Sequence, residues 1–161
     1  MIIYGVDPGA SGAIAMLNNN DLVTVIDMPT RVEGITKQTR RVDAAGLADE
    51  VRRMRGLVGV DGEICIIEKV SAMPGQGVSS MFSLGFAAGV AEAVFVALGI
   101  RVEYVSPKQW KKEFGLGSDK SQSRGRASLL FPGSAGTWSR VKDDGRAEAV
   151  LMALYGKRKF Y

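Results

Sequence analysis

Histidine does not occur in this sequence of 161 residues, and cysteine occurs once. Without an imidazole, Ser-His-Asp and Cys-His catalysis are excluded, as are zinc sites that use histidine. A single cysteine cannot form an intrachain disulfide, and Cys65, within Glu63-Ile64-Cys65-Ile66-Ile67-Glu68, reads as a small core residue. Long uninterrupted apolar runs are also missing. The longest candidate, Phe82 to Ile100, is broken by Gly85, Gly89, Glu92 and Gly99, and reads as a buried helix rather than a membrane span. Met1 leads straight into an apolar strand, which argues against a signal peptide and predicts a cytoplasmic protein with no membrane partner. Any hydrolysis must therefore rest on carboxylates, lysine or a metal.

What is present suits a globular α/β domain. With 46% apolar residues, a single domain over 1–161 can bury a real core. The net charge is only +4, but it is unevenly spread: residues 1–100 carry 8 Lys/Arg against 11 Asp/Glu, and residues 101–161 carry 13 against 6. That asymmetry places a surface suited to a polyanion mainly in the C-terminal third.

Ile2 to Val6 is a short apolar strand stopped by Asp7-Pro8-Gly9. Gly12 to Leu17 and Leu22 to Ile26 flank the polar connection Asn18-Asn19-Asn20-Asp21, so the first three strands form an antiparallel meander. Residues 29–42, polar and basic, read as a mobile loop. Asp43 caps a helix carrying Leu47, Val51 and Met54, with Gly56 as its stop. Ile64 to Ile67 is a central strand, Ser71 to Ser80 a loop, and Ser80 to Leu98 a helix rich in glycine and alanine. Arg101 to Val105 alternates as a strand, and Ser106-Pro107 opens a short helix. A helix over Lys120 to Phe131 and a last one capped by Asp143 or Asp144 complete the chain. This order predicts a mixed central sheet with helices on both faces.

Four carboxylates stand out. Asp7 and Glu68 each end an apolar strand; if those strands are neighbours, the two side chains come within range of a shared cation. Two adjacent carboxylates in apolar surroundings need such a counter-charge. Asp144 and Glu148, four residues apart, lie on one face of a helix. Capping and the helix dipole would favour that pair without any metal. Neither effect explains acids at two strand ends.

Gly5-Val6-Asp7-Pro8-Gly9, Ile66-Ile67-Glu68 and Asp144-Gly145-Arg146-Ala147-Glu148-Ala149, in this order over nearly the whole chain, resemble the RuvC family of Holliday junction resolvases, and in detail the RuvC-like proteins of bacteriophages. The resemblance implies a ribonuclease H-like fold and a homodimer that nicks paired strands of four-way DNA junctions, in the host cytoplasm if phage-encoded. It implies Asp7, Glu68, Asp144 and Glu148 as catalytic metal ligands, holding two Mg²⁺ per active site, with Mn²⁺ as a substitute and no nucleotide cofactor. Cellular members space the last two acids by three residues, so Asp143 stays as an alternative to Asp144; they also have Asp where this chain has Glu148. Two such ions, about 4 Å apart, activate water and stabilise the leaving 3′ oxygen, chemistry that needs no histidine.

The resemblance extends to DNA contacts. Lys111 and Lys120 flank Gly115-Leu116-Gly117 as two basic residues do in the family, and glycine backbone between two ammonium groups can follow a phosphate chain. Arg124 and Arg126 extend this stretch, while Arg140 and Lys142 approach the acids from the other side. Trp110 and Phe114 read as core anchors. Arg31, Lys37, Arg40 and Arg41 form either a disordered basic arm or a second DNA contact. Where cellular RuvC has an aromatic residue after its strand glutamate, this chain has Lys69-Val70-Ser71-Ala72-Met73-Pro74, so Met73 is either an apolar wedge into DNA or an ordinary loop residue. Alternatives are a less selective nuclease acting on branched DNA or RNA, and a catalytically silent nucleic-acid-binding module.

Overall fold

Side chains alternate along the first strand, β1 (Ile2–Asp7), and this alternation divides the core in two. Ile2, Tyr4 and Val6 enter one apolar cluster, and Ile3 enters the other. The computed structural model describes residues 1–161 apart from Lys37, Val60, Asp61, Met73 and Lys120. In it β1 pairs antiparallel with β2 (Ala13–Asn18), which pairs antiparallel with β3 (Asp21–Asp27). The meander expected from the turn chemistry is therefore present.

A short antiparallel hairpin follows, β4 (Thr30–Glu33) with β5 (Thr39–Val42). This corrects the expectation of a mobile loop over residues 29–42. Arg31 and Arg41 face each other in its register, which alone would repel. Glu33 resolves the repulsion by pairing with both, at 2.8 Å to Arg31 and 3.3 Å to Arg41, and the buried Val42 anchors the end.

Helix α1 (Ala44–Arg55) starts where Asp43 Oδ1 accepts the Ala45 N–H at 3.2 Å, and closes at Gly56. Strand β6 (Glu63–Glu68) pairs in parallel with β1, with Val6 opposite Ile67, so Asp7 and Glu68 end neighbouring strands on the same rim. After helix α2 (Val78–Ala97), β7 (Arg101–Val105) adds in parallel to β6 and closes a five-stranded sheet of order β3-β2-β1-β6-β7. Helix α3 (Pro107–Glu113) begins in a capping box between Ser106 and Gln109. Helix α4 (Ser121–Leu130), two 3-10 segments (Pro132–Trp138 and Val141–Asp143) and helix α5 (Asp144–Phe160) complete the chain.

One face of the sheet packs on α5 together with Trp110, Phe114 and Trp138. The other packs on α1 and α2 through Leu47, Val51, Met54, Ala91, Val94 and Phe95, with Cys65 buried among them. Burial pushes the Cys65 thiol pKa well up, as befits a core residue. Helices therefore cover both faces, as the sequence pattern predicts. The reading of the glycine-interrupted helix as buried needs correcting. Helix α2 is long and apolar enough to cross a membrane by length and composition alone, yet only 28% of that stretch is buried. Its apolar residues occupy two sides: Ala87, Ala91, Val94 and Phe95 pack on the sheet, while Phe82 and Val96 face outwards.

Candidate active site

The parity that sorts the core also aims the two strand-end acids. Asp7 follows Ile3 and Gly5 on the α5 side of β1, and Glu68 follows Ile64 and Ile66 on the same side of β6. Helix α5 lies directly on β1. A Cβ at Gly5 would fall 2.0 Å from the Ala149 carbonyl oxygen, so strand and helix backbones touch there. Two residues further along β1, a Cβ at Gly145 would fall 2.8 Å from Asp7 Oδ2. Two strand residues and four helix residues each span roughly 6–7 Å, so the two chains stay matched from Gly5 to Asp7. The first turn of α5 is thus set over Asp7, and only a glycine at 145 leaves room for its carboxylate.

Asp7, Asp144 and Glu148 line one cleft of about 290 Å³, together with Ser11, Lys142 and Gly145. Asp144 and Glu148 reach it from successive turns of α5. Glu148, only 7% exposed, accepts from the buried Ser123 hydroxyl at 3.3 Å and lies 3.6 Å from Lys111 Nζ. Asp144 accepts from Arg124 Nε at 2.7 Å. Glu68, beside the cleft rather than in its lining, accepts the Trp110 indole N–H at 2.7 Å. Asp144 and Glu148 are thus held by side-chain cations.

Asp143 points elsewhere. Its carboxylate takes a bidentate pair from Arg140 at 2.8 and 2.9 Å plus the Arg140 backbone N–H at 3.1 Å. The Arg140 guanidinium holds its pKa down to about 2. Its side chain closes the 3-10 segment and, although Asp143 directly precedes α5, makes no cap bond to that helix. Neighbouring Arg146 grips Asp27 at the end of β3 through two bonds, at 2.7 and 2.8 Å, which lowers the Asp27 pKa and ties α5 to the far strand.

The donor set is chemically apt for a hard divalent ion, being all carboxylate oxygen, with three of the four acids lining the cleft. Among the described residues, however, no three acidic side chains already stand at metal-holding spacing. Arg124 and Lys111 supply the counter-charge that an ion would supply.

Of the basic residues expected to touch DNA, Lys111 and Arg124 are at the acidic cleft, and Lys142 lines it. Lys120 and Met73, like Lys37, lie outside the described residues. Arg40 and Arg41 belong to the hairpin rather than to a disordered arm. Sequence reasoning took Trp110 only as a core anchor. It is fully buried, as expected, but its N–H also reaches Glu68. A tryptophan in the first turns of a helix that follows a strand parallel to β6 is the one signal that could have suggested this. Ser123 carried no such signal.

No protein-family model matches the chain, and no curated protein matches it in sequence. Solved structures do match it. Thermus thermophilus RuvC aligns with a TM-score of 0.55 and 16% identity over 98% of this chain and 96% of its own. The same protein in complex with a Holliday junction substrate aligns with a TM-score of 0.55 and 16% identity, over 96% of this chain and 91% of its own. The yeast mitochondrial Holliday junction resolvase aligns with a TM-score of 0.55 and 17% identity over 97% of this chain and 77% of its own. The fold is the one these resolvases have, as the three acidic segments implied.

Proposed function

We propose that this chain is a structure-selective DNA endonuclease that resolves four-way junctions by Mg²⁺-dependent phosphodiester hydrolysis, a RuvC-like resolvase of the type found in bacteriophages. The observation that carries the reading is the convergence of Asp7, Asp144 and Glu148 on one cleft, with Glu68 ending the neighbouring strand, in a fold shared with junction resolvases. Asp7, Glu68, Asp144 and Glu148 would hold the metal. Asp144 is preferred to Asp143 because it lines the cleft with Asp7 and Glu148, whereas Asp143 turns to a bidentate pair with Arg140.

When bound, a pair of Mg²⁺ ions, or Mn²⁺ in its place, would supply an activated water and charge stabilisation at the leaving 3′ oxygen. The residues of the chain prepare for this. Trp110 orients Glu68 through its indole N–H, Ser123 fixes one oxygen of Glu148, and Gly145 leaves Asp7 space beside α5. Arg124 and Lys111 neutralise the acids in the free protein; with metal and DNA present they turn to the phosphates, where Lys120 joins them.

A homodimer would cut the two strands as a pair. Helix α2 supports it: Phe82 and Val96 are exposed, and Gly85 and Gly89 on the same helix face open space, so a second helix could approach closely there. The deciding assay offers the protein a synthetic four-way junction, a Y-fork and a linear duplex, with Mg²⁺ or EDTA. Paired nicks in the junction alone are expected; broad cutting would favour a general branched-substrate nuclease, and binding without cutting a silent module. Normal cleavage by Asp7→Asn would overturn the metal assignment.

A further inference from the structure

A second cleft, of about 530 Å³, opens beside the acidic one between the β4–β5 hairpin, the loop after β1 and the first turns of α2. Arg40 and Arg41 line one wall, and Ser79, Ser80 and Ser83 the other; no carboxylate lines it among the described residues. Both guanidinium groups are held in place by the hairpin. Arg40 donates Nε and Nη2 to Thr30 Oγ1 at 3.3 and 3.0 Å. Arg41 stacks 4.4 Å from the centre of the Phe86 ring and pairs with Glu33. An arginine carries five N–H donors, so each keeps donors for a ligand.

A smaller cleft, of about 190 Å³, connects this wall to the acidic site. Arg40 lines it and the large cleft; Lys142 lines it and the acidic cleft; Ser11 lines all three. Its two acids, Asp27 and Asp143, are already matched by Arg146 and Arg140. Through these shared walls the three clefts adjoin in a row, a track from the carboxylates past Lys142 to Arg40, Arg41 and the serine hydroxyls.

We infer that this track seats the phosphodiester backbone of the DNA strand flanking the cut, with the hairpin arginines and the α2 hydroxyls as its contacts. Planar guanidinium donors match phosphate oxygens, and the start of α2, which has no acidic side chain in its first turn, adds the positive end of the helix dipole. An open groove that runs into the acidic cleft suits a continuous chain better than a small enclosed anion. The inference rests on the nuclease reading for which strand lies there, but not for the presence of the phosphate seat itself.

The test is the affinity for a fluorescent four-way junction in EDTA as a function of salt. Arg40→Gln removes one phosphate contact per protomer and should lower the slope of log K against log salt by about 0.9 for each protomer bound. Ser80→Asp is the second variant: an acid in the first turn favours the helix, so folding is kept while the phosphate is repelled. It should weaken binding at least several-fold with an unchanged or higher Tm. Arg53→Gln, on the exposed side of α1 and paired with Glu50, removes the same charge off the track and should leave the slope as it was. A wild-type slope in Arg40→Gln, or wild-type affinity in Ser80→Asp, overturns the inference. Cleavage of the same junction in Mg²⁺ separates the two ideas. If wild type cuts and Arg40→Gln keeps its slope, the phosphate seat fails alone; if the slopes shift as expected and wild type cuts nothing, the nuclease reading fails and the seat stands.

Discussion

Trp110 donates its indole N–H to Glu68 at 2.7 Å, joining the first helix after β7 to the end of the parallel strand beside it. A bond to a charged acceptor in a part-buried site contributes about 1.5–3 kcal/mol. Trp110→Phe keeps an aromatic ring in the core and removes only the donor. We expect cleavage to fall roughly tenfold or more, with junction binding in Ca²⁺ nearly unchanged. Equal loss of binding and cutting would mean that Trp110 acts through the fold instead.

Gly145→Ala tests the close approach of α5 to Asp7. The added Cβ would lie 2.8 Å from Asp7 Oδ2, 3.0 Å from the Ser11 carbonyl oxygen and 3.2 Å from Gly12 Cα, so the carboxylate must move and the loop after β1 must yield by a few tenths of an ångström. The gain in helix propensity partly offsets that crowding, so the protein should still fold, with a lowered Tm, while the Mg²⁺-dependent activity is lost. A fully active Gly145→Ala would show that the position of Asp7 is not critical.

Arg124 pairs with Asp144 at 2.7 Å, with both side chains about one-fifth exposed. Arg124→Ala leaves that acid without its cation, so the metal-free protein should unfold at a lower temperature. The rise in Tm on adding Mg²⁺ should then be larger than in wild type, because no side chain competes for Asp144. An equal rise in both proteins would argue against Asp144 as a ligand.

The Arg140–Asp143 pair predicts a specific acid limb. A carboxyl whose folded pKa lies below its unfolded value stabilises the fold above that unfolded value and ceases to do so as pH falls through the folded one. For Asp143 this window runs from its ordinary 3.8 down to about 2. Asp143→Asn should therefore show a flatter loss of Tm between about pH 4 and pH 2, with cleavage of junctions retained. Loss of cleavage in this variant would return Asp143 to the ligand set.

Much of the scaffold could be read from local chemistry. The strand over Arg101–Val105, the helix start at Ser106-Pro107 and the Asp43 cap depend on near neighbours in sequence, and each is found where expected. The β4–β5 hairpin was missed because its strands are short and mostly polar, so no apolar alternation announces them, and the pairing of Glu33 with two arginines follows only from the register. Asp143 and Asp144 are adjacent in sequence and so equally eligible as a cap, but the first ends the 3-10 segment, where Arg140 takes it, and the second begins α5 and lines the cleft. The link from Trp110 to Glu68 spans 42 residues and depends on β7 adding beside β6, which no local pattern reveals.

Because β1 and α5 meet backbone to backbone at Gly5, the span between Asp7 and the helix that carries Asp144 and Glu148 is fixed by main-chain atoms. Side chains in between cannot lengthen or shorten it. An engineer could therefore restyle the α1–α2 side of the sheet extensively, for stability or for a different pairing surface, and leave the spacing of the acids untouched. Positions 5 and 145 admit no such freedom.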